Sequence, residues 1–302
     1  MNPNDLSITS NPSHIEGDEE KIMSPFRAFL KRHSLVIGLI LMFLLTWPFM
    51  LANSGFLPFR IPFPASLFAG WGLSIAALIM TALTLGKTEV VALLKRFLLW
   101  RVGWKWYAVA LFFFPFMQAV SVLVNALISG RPLDFSTVAA HQIFGPAAVL
   151  PIFILPFFIT DLISNGEELG WRGYVLPRLQ ARYSALVASL VVGVIWALWH
   201  LPLWMAPGNT TPVGLFVIKV IAESVLYTWL YNNSRGSLLL VTFFHAASNT
   251  GGAFLPVATS ISGANSDVLV IQIVLEILVA GLVVFTQGAA RLSRTQPKQV
   301  QD

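Results

Sequence analysis

No cysteine occurs among the 302 residues, which removes disulfide frameworks, thiolate chemistry and cysteine metal sites from consideration. Charge is nearly as scarce. Asp, Glu, Lys and Arg make up 11% of the chain against 56% hydrophobic residues, far too little to cover the surface of a soluble domain. Several hydrolytic signatures are also missing. There is no His-Glu-x-x-His, no Gly-x-Ser-Gly and no paired-aspartate pattern, so the zincin signal is absent and serine- and aspartyl-type chemistry is disfavoured. No fixed-period repeat, convincing inverted repeat or low-complexity tract is visible. The net charge of +5 implies no nucleic-acid partner, because the basic residues lie scattered between apolar runs rather than gathered on one face.

What is present is a series of apolar stretches, each near the ~20 residues needed to cross a bilayer. They cover residues 35–53, 62–85, 104–128, 145 onward through 164–182, 185–201, 213–231, 237–256 and 267–288. The expected fold class is therefore all-α, a polytopic membrane helix bundle of about eight transmembrane helices. Residues 1–24 are polar, carry the acidic patch Glu16, Asp18, Glu19 and Glu20, and read as a disordered tail. They are too long and too acidic for a cleaved signal peptide. Eight crossings put both termini on one side. Sixteen Lys and Arg fall on that side, with Arg172, Arg178 and Arg182 counted among them; Arg60 and Arg131 fall opposite, and Lys219 lies inside a span. That asymmetry puts both termini in the cytoplasm. The chain then divides into a cytoplasmic tail at 1–24, a transmembrane helical domain at 25–290 and a second cytoplasmic tail at 291–302. Between the second and third spans, apolar residues from Val90 to Leu99 alternate with Lys95 and Arg96. They predict an interfacial amphipathic helix ending in the belt residues Trp100, Trp104, Trp106 and Tyr107.

Few polar groups interrupt the apolar runs, and they are unevenly placed. Residues 164–182 carry Glu167, Glu168 and Arg172. A carboxylate pair at membrane depth is costly. In a helix Glu168 and Arg172 share a face and neutralise each other, whereas Glu167 is turned toward Trp171. One acid is thereby held and its neighbour left available. On the fifth span His200 follows Trp196 by one turn, and on the seventh His245 and Asn249 stand four apart on one face. The three helices can bring these groups to one depth, which predicts a buried polar cluster.

Glu167-Glu168-x-x-x-Arg172-Gly173, Trp196-x-x-x-His200 and His245-x-x-x-Asn249 stand in that order on successive apolar segments. They resemble the three motifs of the CPBP intramembrane proteases, the group of CAAX prenyl endopeptidases and bacteriocin-processing proteins. The second motif usually reads Phe-x-x-x-His, and the tryptophan here departs from it at what is expected to be a packing position. The resemblance covers about 145–255, the expected catalytic core, and implies an intramembrane endopeptidase in which Glu167 is the general base and His200 helps hold the water. His245 and Asn249, which could by themselves be interhelical glue, are implied as donors to the developing oxyanion, while Glu168 and Arg172 either orient Glu167 and the substrate or form a structural ion pair. Trp171 and Trp196 are expected to line the substrate.

Glu167, His200 and His245 are acceptable Zn²⁺ ligands, and they are the set that would hold one; the favoured reading requires no cofactor. The expected partners are the lipid bilayer and a peptide or membrane-protein substrate, prenylated or not. The expected location is a bacterial plasma membrane, as a multi-pass integral protein. The alternative is a non-enzymatic protein using the same cluster, either a transporter with a proton relay or a bacteriocin-immunity binder. The remaining polar residues in the spans carry bland readings: a Lys219–Glu223 pair, a local cap or pair at Asp161, and close helix approach at Gly166, Gly170 and Gly173. Glu276 has no partner evident in the sequence.

Overall fold

In a bilayer no water is available to backbone amides, and a helix is the open segment that pairs them internally. The computed structural model describes residues 25–62, 70–136, 138–145, 151–209, 212–257 and 266–294, and these contain helices and no strand. In chain order the helices are α1 (Pro25–Arg32), α2 (Ser34–Asn53), α3 (Trp71–Thr84), α4 (Lys87–Lys95), α5 (Trp104–Ser129), α6 (Ala140–Phe144) and α7 (Ile154–Ser164). They continue with α8 (Leu176–Gln180), α9 (Ala185–Trp199), α10 (Leu201–Trp204), α11 (Val213–Asn233), α12 (Leu238–Phe254) and α13 (Ser266–Gln287). By length and composition α2, α5, α11 and α13 can each cross a membrane, and α3, α9 and residues 151–164 are shorter apolar helices. Each of the eight expected spans thus has a helix in the described residues. The amphipathic segment before α5 is also helical, as α4 and a 3-10 turn at Arg96–Leu98. The tail expected at 1–24 and most of that at 291–302 lie outside the described residues.

Helices pair along their small and apolar faces: α9 lies along α11, α12 along α5, and α2 along α3. Phe114 of α5, Tyr227 of α11 and Phe244 of α12 stack in the centre, with ring centroids of Phe114 and Phe244 4.3 Å apart and those of Tyr227 and Phe244 4.8 Å apart. Large apolar side chains such as Phe112, Phe116, Leu127 and Phe285 point outward and are exposed. Such a surface suits hydrocarbon rather than water.

The fourth span departs from the continuous helix expected from 145 to 182. Its helix α7 stops at Ser164, Asn165 and Gly166 are non-helical, and a new helix begins at Glu167. It widens into a π-helical turn over Leu169–Val175 before α8. The break has identifiable supports. Asn165 Oδ1 accepts from the Glu167 amide at 3.1 Å, as a helix cap does. Ser74 donates to the Gly166 carbonyl at 2.5 Å and the Trp71 indole to the Ile163 carbonyl at 3.0 Å, so α3 satisfies groups the interruption frees. Gly166 permits this approach, since a Cβ there would come within 2.7 Å of the Trp71 Cα. Arg172, counted with the loop cations in the charge asymmetry, lies wholly buried beyond the break and leaves that count.

A similar close approach joins α9 to α11, where a Cβ on Gly193 would meet the Ile221 Cα at 2.8 Å and the Ser224 Cβ at 3.1 Å. Gly193→Leu is expected to force the two helices apart and lower stability by about 1–3 kcal/mol, read as a fall in the thermal unfolding midpoint of the purified protein in detergent.

Candidate active site

The interruption at Asn165 and Gly166 places Glu167 and Glu168 in the first turn of a helix, where unpaired amide N–H groups and the helix dipole favour negative charge. Each carboxylate then finds its own partners. Glu168 Oε1 accepts from Arg172 Nη1 at 3.0 Å and lies 2.8 Å from His245 Nδ1. Arg172 is 0% exposed and Glu168 1%, so this is an ion pair taken fully out of water. Such a pair costs several kcal/mol in desolvation unless other groups compensate. Two aromatic faces help: the guanidinium carbon sits 4.5 Å from the Trp196 ring centroid and 4.2 Å from that of Tyr227.

Glu167 is held differently. Its Oε2 accepts from the Trp196 indole at 2.8 Å and from the Trp171 indole at 3.3 Å. Its Oε1 is 4.0 Å from His245 Nε2. His245 therefore spans both acids, one ring nitrogen to each. On the fifth span His200 turns Nδ1 to the Trp196 carbonyl at 2.9 Å, leaving Nε2 for a ligand. The side chain is wedged edge-on against Trp199 and Phe216. Asn249, one turn beyond His245 on α12, donates from Nδ2 to Asp161 Oδ1 at 3.1 Å.

Glu167, His200, His245 and Asn249 line one cavity of about 350 Å³, together with Asp161 and Trp196. The four side chains expected to meet from three spans thus share one cavity. Trp171 differs from its expected place at the substrate. It is completely buried, does not line the cavity, and serves Glu167 as a hydrogen-bond donor. Trp196 does line it, yet the departure at that position is more than packing: its indole N–H makes the shorter of the two bonds to Glu167. Asp161, given a local pairing in the sequence, has one with Asn165 and also reaches across to Asn249 on α12. An acid inside an apolar run was the available signal.

Further down the same cavity wall lie Lys219 and Glu223, which form the expected ion pair. Gln272 Nε2 donates to Glu276 Oε1 at 2.8 Å, so the acid without an evident partner has one on its own helix, four residues back. Among the described residues no three His, Asp or Glu side chains are grouped to hold a metal ion. In the set expected for Zn²⁺, Glu167 Oε2 and Nδ1 of each imidazole are turned to other groups, which leaves Glu167 Oε1 and the Nε2 atoms of His200 and His245 as the atoms that could face an ion.

Residues 146–251, which hold all three motifs, match the family described as type II CAAX prenyl endopeptidase Rce1-like. A curated relative, CAAX prenyl protease 2 of Methanococcus maripaludis, is 28% identical over 151 residues, which is 47% of this chain and 55% of that protein. The chain thus matches about half the length of that relative. The resemblance to CPBP proteases read from the motifs is borne out by both matches.

Trp196→Phe keeps a ring beneath Arg172 but deletes the 2.8 Å donor to Glu167. It is expected to cost about 1.5–3 kcal/mol of stability, the usual range for a hydrogen bond to a charged group. Trp171→Phe, which removes a donor at 3.3 Å, is expected to cost less, and chemical or thermal unfolding of the two variants side by side measures the order.

Proposed function

We propose that this chain is an intramembrane endopeptidase that hydrolyses a peptide bond with a water activated by Glu167. The observation that carries the reading is the convergence of Glu167, His200, His245 and Asn249, from three separate spans, on one cavity. A 350 Å³ space is large enough for a few residues of extended peptide and a water, and lies within the usual range of ligand pockets.

In this reading Glu167 takes a proton from water as the water oxygen bonds to the substrate carbonyl carbon. The two indole donors on Oε2 fix the carboxylate and leave Oε1 as the base. His200, through Nε2, holds the water. The carbonyl oxygen becomes an oxyanion, received by the second N–H of the Asn249 amide and by His245 Nε2 when that ring carries both protons. Asp161 fixes the Asn249 amide through its other N–H. The intermediate collapses when the C–N bond breaks and the proton held by Glu167 passes to the leaving amine. Glu168 and Arg172 position this apparatus without touching substrate: Glu168 holds His245, and Arg172 holds Glu168.

The substrate proposed first is the C-terminal tail of a prenylated protein, by analogy with the CAAX prenyl protease of Methanococcus maripaludis, and a bacteriocin-related peptide is second. Both termini are proposed to be cytoplasmic. The charge asymmetry supports this, and it survives the removal of Arg172 from the count. The Lys219–Glu223 pair and Gln272 on the wall of the same cavity, with Glu276 bonded to Gln272, favour as a second reading a proton relay in a transporter. Proton flux in protein-containing liposomes, lost in Glu223→Gln, would decide for that reading.

Glu167→Gln is expected to lower the cleavage rate of a prenylated CAAX peptide by roughly 100-fold to 10,000-fold, the contribution of a positioned base, with an unchanged unfolding midpoint. A variant cleaving at the wild-type rate would remove Glu167 from the role. Because no step runs through a metal ion, dialysis against a chelator is expected to leave the rate unchanged. A rate lost on chelation and restored by Zn²⁺ would overturn the metal-free step.

A further inference from the structure

A second cavity, of about 620 Å³, lies away from the candidate active site, where α1, the start of α2, the end of α3 and the residues around α8 meet. Its lining includes Lys31, Arg32, Arg178 and Arg182 with His33 and, among the described residues, no Asp or Glu. Lys31, Arg32 and Arg182 make no ion pair with a carboxylate among the described residues. Arg178 is placed by its own contacts, donating to the Tyr174 carbonyl at 3.0 Å with its guanidinium carbon 3.7 Å from the Tyr174 ring centroid. Like charges gathered around a hollow repel one another, and three cations with no carboxylate partner among the described residues gain from an anion between them.

The depth of the hollow narrows the choice of anion. Ser34 and Thr84, both in its lining, are the first residue of α2 and the last of α3. These are apolar helices, so the cavity sits where hydrocarbon gives way to the polar interface, at the level of lipid phosphates. Leu35, Val36 and Leu85 supply an apolar wall beside the cations. A cationic floor next to an apolar wall matches the two ends of a phospholipid, and basic pockets between spanning helices are suited to such headgroups.

We propose that this cavity is a phosphate site that takes the headgroup of an anionic membrane phospholipid. A flat basic rim would attract anionic lipid without selecting where it binds; here four cations from two separate stretches of chain face one volume. Binding at this place does not depend on the peptidase reading and is measured without any substrate.

The test uses the purified full chain in a neutral detergent, with phosphatidylglycerol, phosphatidylcholine or inorganic phosphate added. Retained lipid is counted by native mass spectrometry, and apparent affinity is taken from the rise in unfolding midpoint. Phosphatidylglycerol is expected to bind and stabilise where phosphatidylcholine does not. Lys31→Gln, Arg32→Gln and Arg182→Gln, made together, are expected to weaken binding about fivefold per cation, roughly a hundredfold in all. A control with the same loss of charge outside the cavity, Lys87→Gln, Lys95→Gln and Lys105→Gln, is expected to keep wild-type binding. Equal loss in the two triple variants would overturn the site in favour of general surface attraction, and undiminished binding in the first would overturn it outright. Stabilisation by inorganic phosphate as strong as by phosphatidylglycerol, lost in the first variant, would keep the phosphate chemistry and overturn the lipid as its source. Equal unfolding midpoints of wild type and both variants without lipid establish that the folds are intact. Lys31→Arg, which keeps the charge, is expected to bind as wild type.

Discussion

A guanidinium that water cannot reach has to be compensated by the protein around it, and much of this fold is arranged about Arg172. Glu168 supplies the opposite charge at 3.0 Å, and the ring faces of Trp196 and Tyr227 enclose the cation from α9 and α11. His245 of α12 completes the set by bonding the same Glu168 oxygen. Four separate stretches of chain are thus tied to one buried ion pair. Removing its cation would strand a carboxylate in a dry interior, a cost on the order of 3–5 kcal/mol, which makes the pair a constraint on how α9, α11 and α12 can sit.

The second constraint is the interruption at Asn165 and Gly166. A continuous helix through this region would place the two glutamates mid-helix, where the backbone offers them nothing. By ending α7 and starting afresh, the chain gives both acids the amide-rich end of a helix, and α3 takes up part of the backbone released. The widened π-helical turn that follows spreads Leu169–Val175, a departure from regular helix of the kind that recurs at functional sites.

Much of this was legible in the chain itself. Apolar run lengths located the helices because a bilayer imposes its thickness on them, and four-residue spacing foretold the Glu168–Arg172 and Lys219–Glu223 pairs because helix geometry is local. The Gln272–Glu276 bond followed the same rule and was equally readable. What escaped was non-local. Nothing near Asp161 in the sequence announces Asn249, 88 residues on, and nothing in a hydropathy window distinguishes a helix broken at a glycine from an intact one. Trp171 and Trp196 were read by bulk as substrate contacts or packing, while their indole N–H groups decide the geometry of Glu167. An N–H vector is invisible until the partner helix is placed.

Trp196 has two occupations at once: its nitrogen serves Glu167 and its ring face serves Arg172. Adjacent acids already spanned by His245 are joined a second time through this side chain, so a substitution at either acid alters the demands on the shared indole. Selection would then act on the trio as one trait, with replacements tolerated in combinations rather than singly, and the order in which they arose would decide which lineages kept a working pocket.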